Sequence, residues 1–254
     1  MKIGNYEDNN IYLGDCYELI KAIPDKSIDL IYTDIPYLIG TGGGGTSRVA
    51  KNIIKMQIQD LKDIKNGIDY NILNEFCRIM KYIYIYIWCS KEQILDIANY
   101  FVKQKGCTMN ILCWCKTNPI PATNGNWLPD IEYCLVFKEA GAKRYNDGYE
   151  IKSKWYISPI NQKDKKEYFH PTIKPLELVK RHLLHSTNEN DIVLDCFIGS
   201  GTTAVACKEL NRRFIGFEIN PEYYQIALDR LNGLTAIDRK NKENGIQNLF
   251  DLIE

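Results

Sequence analysis

The chain has 254 residues, 45% of them hydrophobic and 25% charged, which suits one sizeable α/β domain with an added recognition segment. No apolar run approaches the roughly 18 residues of a membrane span, and the polar start resembles neither a signal nor a transit peptide. We therefore expect a cytoplasmic protein. Nine cysteines in such a chain favour reduced thiols over a disulfide framework.

The net charge is zero, so the whole molecule has no basic signature for nucleic acid, but the charge is unevenly placed. Residues 138–174 contain nine Lys or Arg against five Asp or Glu, and the rest of the chain is correspondingly acidic. Such a stretch either contacts phosphates or forms a solvated surface, and the sequence leaves both open. The oligomeric state also stays open, with a homodimer among the alternatives.

Strand and helix patterns alternate along the chain, which predicts an α/β fold with a mostly parallel sheet and helices on both faces. Strands are predicted at residues 10–13, 27–34, 81–88, 108–115, 131–137, 191–195 and 213–218. Helices are predicted at residues 16–22, 90–106, from 175 onward, 201–210 and 220–233. The fourth and fifth strands are expected to pair as a hairpin, because a turn rich in Pro, Asn and Gly separates them.

A glycine-rich segment occupies residues 40–47. Gly40 and Gly45 have the spacing of a phosphate-binding loop, but Thr46 stands where such a loop needs its lysine, which excludes a nucleoside triphosphate site. We expect this segment to form a mobile lid beside the active site.

No metal site is expected. Cys113 and Cys115 flank a tryptophan without a second Cys or His pair nearby, so we interpret them as packed thiols. His182 and His185 lie three apart on a predicted helix, but no carboxylate or cysteine follows at matching spacing. We interpret both as helix-surface residues.

A glycine turn follows the sixth predicted strand. Gly199, Gly201 and Ala204 satisfy G-x-G-x-x-A, and Glu218 ends the next strand, so a dinucleotide site must be considered. Asp195 argues against it, because a carboxylate at the strand end would repel a pyrophosphate. S-adenosylmethionine instead offers an ammonium and a sulfonium, which a carboxylate attracts. Glu218 can accept hydrogen bonds from ribose hydroxyls with either cofactor.

A second motif, D-I-P-Y at residues 34–37, follows the buried strand 27–34. Asp34 and the Ile35 carbonyl can accept the two N–H groups of an exocyclic amine, which favours the tetrahedral nitrogen needed for attack on a methyl sulfonium. Pro36 biases Ile35 toward an extended conformation, and Tyr37 offers a ring on which a base can stack. We expect the motif to lie on the other half of the sheet from the glycine turn.

Together these residues resemble the amino-methyltransferases of DNA, in the permuted arrangement called the beta group. The family pattern D/N/S-P-P-Y near the start corresponds to residues 34–37, and D-x-F-x-G-S-G-T-T near the end to residues 195–203. Residues 170–175, HPTIKP, resemble the segment that leads into the methionine-side helix. Residues 213–218 resemble the ribose-binding strand, and residues 14–15 match the family's opening.

The resemblance spans about residues 10–231 and implies a Rossmann-like methyltransferase fold with circularly permuted motif order. It implies S-adenosylmethionine as the cofactor without a metal, and double-stranded DNA with a flipped base as the partner, so that the protein is nucleoid-associated when on DNA. It makes Asp34, Ile35, Pro36 and Tyr37 catalytic. It implies cofactor contacts from Asp15, Thr172, Lys174, Pro175, Asp195, Phe197, Gly199, Ser200, Gly201, Thr202 and Glu218. For Asp15, a helix N-cap is an equally good interpretation.

The motif order predicts four parts. Residues 1–137 form the catalytic half, 138–169 an inserted DNA-recognition segment, 170–233 the cofactor-binding half, and 234–254 a polar, loosely held tail.

The target base is predicted to be adenine, with alternatives. Aspartate at the first catalytic position goes mostly with adenine N6 in the family and serine with cytosine N4, although both amines suit the same geometry. Ile35 replaces the family's first proline but retains the backbone carbonyl. Two other classes are a nicotinamide- or flavin-dependent oxidoreductase that uses the glycine turn and a DNA-binding relative without transferase activity.

Overall fold

The computed structural model describes residues 1–38, 67–119, 121, 127–142, 148, 150–160, 162–168, 172–235 and 238–239. The predicted glycine-rich lid at 40–47 lies outside these residues, as does nearly all of the predicted polar tail.

Strands and helices alternate as the sequence predicts. The described strands are β1 Lys2–Ile3, β2 Tyr6–Glu7, β3 Asn10–Leu13, β4 Leu30–Asp34, β5 Tyr84–Cys89, β6 Thr108–Lys116, β7 Ile131–Lys138, β8 Trp155–Ser158, β9 Ile192–Asp195 and β10 Arg213–Glu218. The described α-helices are α1 Cys16–Leu19, α2 Ile72–Ile79, α3 Ile94–Ala98, α4 Gln162–Tyr168, α5 Leu176–Ser186, α6 Thr202–Glu209 and α7 Pro221–Leu231. A π-helical turn over Asn99–Gln104 continues α3.

Eight of these strands form one sheet in the order β3, β10, β9, β4, β5, β7, β6, β8. The first five are mutually parallel, β7 is antiparallel to β5 and β6, and β8 runs parallel to β6. The predicted mostly parallel sheet and the β6–β7 hairpin are therefore confirmed. The carboxyl ends of β10, β9 and β4 meet at one edge, where ligands bind in open α/β sheets.

Alternate residues of the central strands enter two different core layers, because successive side chains of a strand point to opposite faces. Ile31 and Ile85 pair across β4 and β5 and join the layer that contains Phe76 of α2. The next pair, Tyr32 and Tyr86, belongs to the layer beneath α5, α6 and α7. Helices thus cover both faces, and the buried strands read as nearly continuous apolar runs.

Five of the described strands and α-helices were not predicted from the sequence: β1, β2, α2, β8 and α4. Helix α2 buries Ile72, Leu73, Phe76 and Ile79 on one side. Strand β8 lies within the predicted recognition segment and adds an edge strand to the main sheet.

The interpretation of His182 as a surface residue is wrong. His182 is only 3% exposed and contacts the Tyr32 hydroxyl through Nδ1 at 3.1 Å. Burial, together with the nearby Arg181 and His185, lowers its pKa to about 3, so the imidazole is neutral. Its place in the core follows from the face of α5 on which it lies, since it packs among the tyrosine rings of β4 and β5.

All nine cysteines lie among the described residues and are free thiols, as expected. Within the described part of the chain, no three His, Cys, Asp or Glu side chains gather in a way that could hold a metal ion. No helix described there has the length and apolar character needed to cross a bilayer.

Candidate active site

Three carboxylates end three neighbouring parallel strands. Glu218 ends β10, Asp195 ends β9 and Asp34 ends β4, and these strands are adjacent in the order β10, β9, β4. The expectation that Asp34 lies on another half of the sheet from the glycine turn is therefore wrong. Strand pairing, which the chain order conceals, makes the two motifs direct neighbours.

The predicted glycine turn lies between β9 and α6. Gly199 and Gly201 have φ angles of 52° and 79°, which residues with a side chain rarely adopt. A Cβ on Gly201 would also lie 3.0 Å from the Cβ of Ala227 on α7. Both glycines adopt these angles without backbone strain, and Gly201 also leaves room for the packing of α7.

Asp195 is bound on all sides by groups of the protein. Its Oδ2 accepts a hydrogen bond from Thr203 Oγ1 at 2.6 Å. Its Oδ1 accepts from Thr33 Oγ1 at 3.0 Å and from the Phe197 amide at 3.1 Å. The residue is 3% exposed, and burial raises its pKa to about 7 although these three donors favour the carboxylate. Asp195 therefore organises the turn through hydrogen bonds within the chain.

Glu218 closes the other side of the turn. Its carboxylate accepts from the Gly199 amide at 2.8 Å and from the Asn220 amide at 2.9 Å. Burial raises its pKa, while these backbone donors oppose the shift. Its backbone carbonyl accepts from the Gly14 amide at 2.8 Å, which brings the predicted opening motif to the same edge.

The remaining predicted cofactor residues divide into two groups. Asp15 is the N-cap of α1, where its side chain accepts from the Tyr17 amide at 2.9 Å, so the N-cap interpretation is confirmed. The hydroxyls of Ser200 and Thr202 both contact Arg230 of α7, at 3.1 and 2.8 Å. These two side chains hold the turn against α7, so contacts with a cofactor would come from the backbone there. Phe197 is half-buried, and Thr172 is exposed.

The D-I-P-Y motif leaves β4 at the same edge. Ile35 is buried, and its amide donates to the Trp88 carbonyl at 3.2 Å, which extends the pairing with β5. The Pro36 carbonyl accepts from Gln93 Nε2 at 3.0 Å. Because Gln93 already occupies the Pro36 carbonyl, the Ile35 carbonyl is the better acceptor for a substrate.

Lys174 contacts the catalytic motif. Its Nζ lies 2.5 Å from Asp34 Oδ2 and 3.3 Å from the Tyr37 hydroxyl. The family resemblance implies that Lys174 and Pro175, the N-cap of α5, contact the cofactor, and this stays a prediction. In the structure the Lys174 ammonium binds Asp34 Oδ2, while the other oxygen of Asp34, Oδ1, is buried without a hydrogen-bond partner.

Glu132 of β7 was missed by sequence reasoning. Its carboxylate binds Lys174 Nζ at 2.9 Å and Lys116 Nζ at 2.7 Å. Burial opposes its ionisation, but the two ammonium groups outweigh this and lower the pKa of Glu132 to about 2. A lone charge inside the apolar strand IEYCLVFK was the available signal, since a buried carboxylate requires a partner.

Comparison with known proteins identifies the family. Residues 28–229 match the N6/N4 family described as DNA methylase. The Type II methyltransferase M2.LlaDCHI of Lactococcus lactis subsp. cremoris is 30% identical over 89% of this chain and 91% of its own length. The solved M1.HpyAVI–SAM complex is 29% identical, covers 87% of this chain and 99% of its own, and superposes with a TM-score of 0.64. The cytosine-N4-specific PvuII DNA methyltransferase shares 16% identity and a TM-score of 0.69 over 94% of this chain and 93% of its own, which shows the Rossmann-like methyltransferase fold. The chain therefore belongs to the N6/N4 DNA methylase family.

Proposed function

We propose that this DNA methylase transfers a methyl group from S-adenosylmethionine to the N6 amino group of an adenine in double-stranded DNA. The observation that carries the proposal is the position of Asp34. Its strand lies directly beside the strand of the glycine turn, and its Oδ1 is buried without a partner. A buried acceptor of this kind requires a donor from a ligand or water.

The glycine turn suits S-adenosylmethionine, the methyl donor. Two buried carboxylates, Asp195 and Glu218, flank the turn, which would repel a pyrophosphate but attract an ammonium, a sulfonium and ribose hydroxyls. With the family shown, the oxidoreductase alternative has no support. When bound, S-adenosylmethionine supplies a methyl group on a sulfonium, which an amine nitrogen can attack.

The catalytic motif activates the amine. The nitrogen of an exocyclic amino group is a poor nucleophile, because its lone pair is delocalised into the ring. Asp34 Oδ1 accepts one N–H and the Ile35 carbonyl accepts the other, which favours the tetrahedral nitrogen that attack requires. As the N–C bond forms, the bond between the methyl carbon and sulfur breaks and its electron pair leaves on sulfur as a neutral thioether. The nitrogen must then lose a proton, which Asp34 Oδ1 would accept. Tyr37 is half-buried beside Asp34 and offers its ring to the flipped base.

DNA would be held by the segment 138–169. Among its described residues, Lys154 and Lys163 are exposed, as contact with phosphates requires. Lys165 is half-buried. Burial lowers its pKa while Glu132 acts in the opposite direction, so we group Lys165 with the charged side chains around Glu132.

The experiment is methylation of unmodified DNA by the purified protein, followed by nucleoside digestion and mass spectrometry. We expect N6-methyladenine. The aspartate of the D-I-P-Y motif supports this choice through the family resemblance, whereas the geometry suits both bases. N4-methylcytosine without N6-methyladenine would overturn the adenine assignment alone. If neither base is modified although the protein binds duplex DNA, a DNA-binding relative without transferase activity is the correct description.

A further inference from the structure

Lys174 is a buried cation whose ammonium is fully engaged by groups of the described site. Its ammonium has three N–H donors and three acceptors within reach: Asp34 Oδ2 at 2.5 Å, Glu132 Oε2 at 2.9 Å and the Tyr37 hydroxyl at 3.3 Å. The ammonium also lies 4.9 Å from the centre of the Trp88 ring. Its side chain is 9% exposed, so it is held in a single, largely dry position.

These contacts tie together segments that are far apart in the chain. Asp34 ends β4, Glu132 lies on β7, and Lys174 precedes α5. Removing one member of such a buried pair leaves an uncompensated charge, so the three side chains constrain one another. Burial disfavours the charged form of Lys174, but the two carboxylates outweigh it and raise its pKa above the usual value.

The two oxygens of Asp34 have different surroundings. Oδ2 is bound by Lys174, whereas Oδ1 is buried without a partner. A carboxylate held at one oxygen cannot rotate freely, so the direction of the other oxygen is fixed as well. Glu132 matters here because Lys174 binds both carboxylates, so the ammonium offsets the charge of Asp34 less than it would in an exclusive pair.

On this basis, and resting on the proposed methyl transfer, we propose that Lys174 and Glu132 are positioning residues that aim Asp34 Oδ1 at the target amino group. Neither residue touches the amine or the methyl group. Lys174 acts through Asp34, and Glu132 acts through Lys174. The pair therefore affects the transition state, in which the hydrogen bond to Oδ1 is strongest, more than it affects binding of either ligand.

The test is a double-mutant cycle of Glu132→Gln and Lys174→Met in steady-state methylation of DNA, with cofactor affinity measured by calorimetry. We expect kcat to fall about tenfold for Glu132→Gln and about a hundredfold for Lys174→Met, the range that loss of one or two charge-assisted contacts implies. The KM for DNA and the cofactor Kd should stay within about twofold of wild type. The double variant should be no slower than Lys174→Met, because Glu132 reaches Asp34 through Lys174, and its other ion pair, with Lys116, is not part of this link. Lys174→Arg should restore part of kcat.

Two matched controls come from ion pairs away from the site. Lys81 binds Asp29, at the opposite end of β4, at 2.7 Å, and Glu75 binds Arg78 at 2.7 Å. Lys81→Met and Glu75→Gln should lower the melting temperature without changing kcat. If Lys174→Met fails to fold, the kcat and KM of Glu132→Gln decide the matter.

The outcomes separate this proposal from the proposed function. A wild-type protein that does not methylate DNA sinks the function. A wild-type protein that does so, combined with an unchanged kcat in Glu132→Gln, overturns the positioning role. A Lys174→Met variant that chiefly weakens cofactor binding would mean that Lys174 contacts the cofactor directly.

Discussion

Asp195 and Asp34 end neighbouring parallel strands, yet their carboxylates have different hydrogen-bond partners. Asp195 receives three hydrogen bonds from neutral groups within the chain. Asp34 receives one charged contact, from Lys174, and keeps a buried oxygen without a partner. On the proposed function, the cofactor half is completed by hydrogen bonds within the chain, whereas the catalytic half is left one donor short, as the acceptor of a substrate N–H must be.

The largest expected effect tests the incomplete half. Asp34→Ala removes the carboxylate of the motif, so transfer should fall by at least about a hundredfold, as for other single transition-state hydrogen-bond partners. Cofactor affinity from calorimetry should change little, because Asp195 and Glu218 are intact. Asp29→Ala, immediately before the start of β4, serves as the control for loss of an aspartate beside the same strand. A parallel loss of cofactor affinity and of kcat would show that the two halves are one unit.

The next effect tests the completed half. Gly201→Ala places a Cβ 3.0 Å from the Ala227 Cβ at a φ of +79°, so we expect a loss of about 2 kcal/mol in the free energy of unfolding and roughly tenfold weaker cofactor binding. Gly106 has a φ of +70° with open space around the added Cβ. Gly106→Ala therefore introduces backbone strain without a close contact. Urea denaturation should show a smaller loss in the free energy of unfolding than for Gly201→Ala, and cofactor affinity should be unchanged. Equal effects of the two variants would remove the packing argument for Gly201.

The sequence predicted the completed half better than the incomplete one, for a physical reason. The turn around Gly199 and Gly201 is local, so a short run of consecutive residues determines its backbone conformation. The partner of Asp34 is not local, because Lys174 lies 140 residues away and only strand order brings the two together. The family resemblance predicted Lys174 as a cofactor contact but did not predict its ion pair with Asp34.

Other misses have different causes. Helix α2 carried a readable signal, since Ile72, Phe76 and Ile79 recur at helical spacing. Strand β8 carried no such signal in the sequence, because Trp155 and Ile157 are exposed and only the pairing with β6 makes this segment a strand.

The last expected effect concerns the pH dependence of stability, which rests on the charge of Asp195. Burial raises the pKa of Asp195 to about 7 in the folded chain, against roughly 3.9 when unfolded. Between these values the folded state binds the proton more tightly, so this group lowers the free energy of unfolding as pH rises from about 4 to about 7, by at most about 1.4 kcal/mol per pH unit.

The Asp195→Asn variant cannot titrate at this position, so its free energy of unfolding lacks this loss. The stability of the variant minus that of wild type, from urea denaturation without cofactor, should therefore increase over that window and level off above it. Asn retains an acceptor for the Phe197 amide but not the charge, so a constant offset from altered hydrogen bonds to Thr33 and Thr203 is expected as well. Two stability curves that stay parallel from pH 5 to pH 8 would mean that Asp195 is ionised throughout, and that the turn stabilises its charge as fully as Lys174 stabilises that of Asp34.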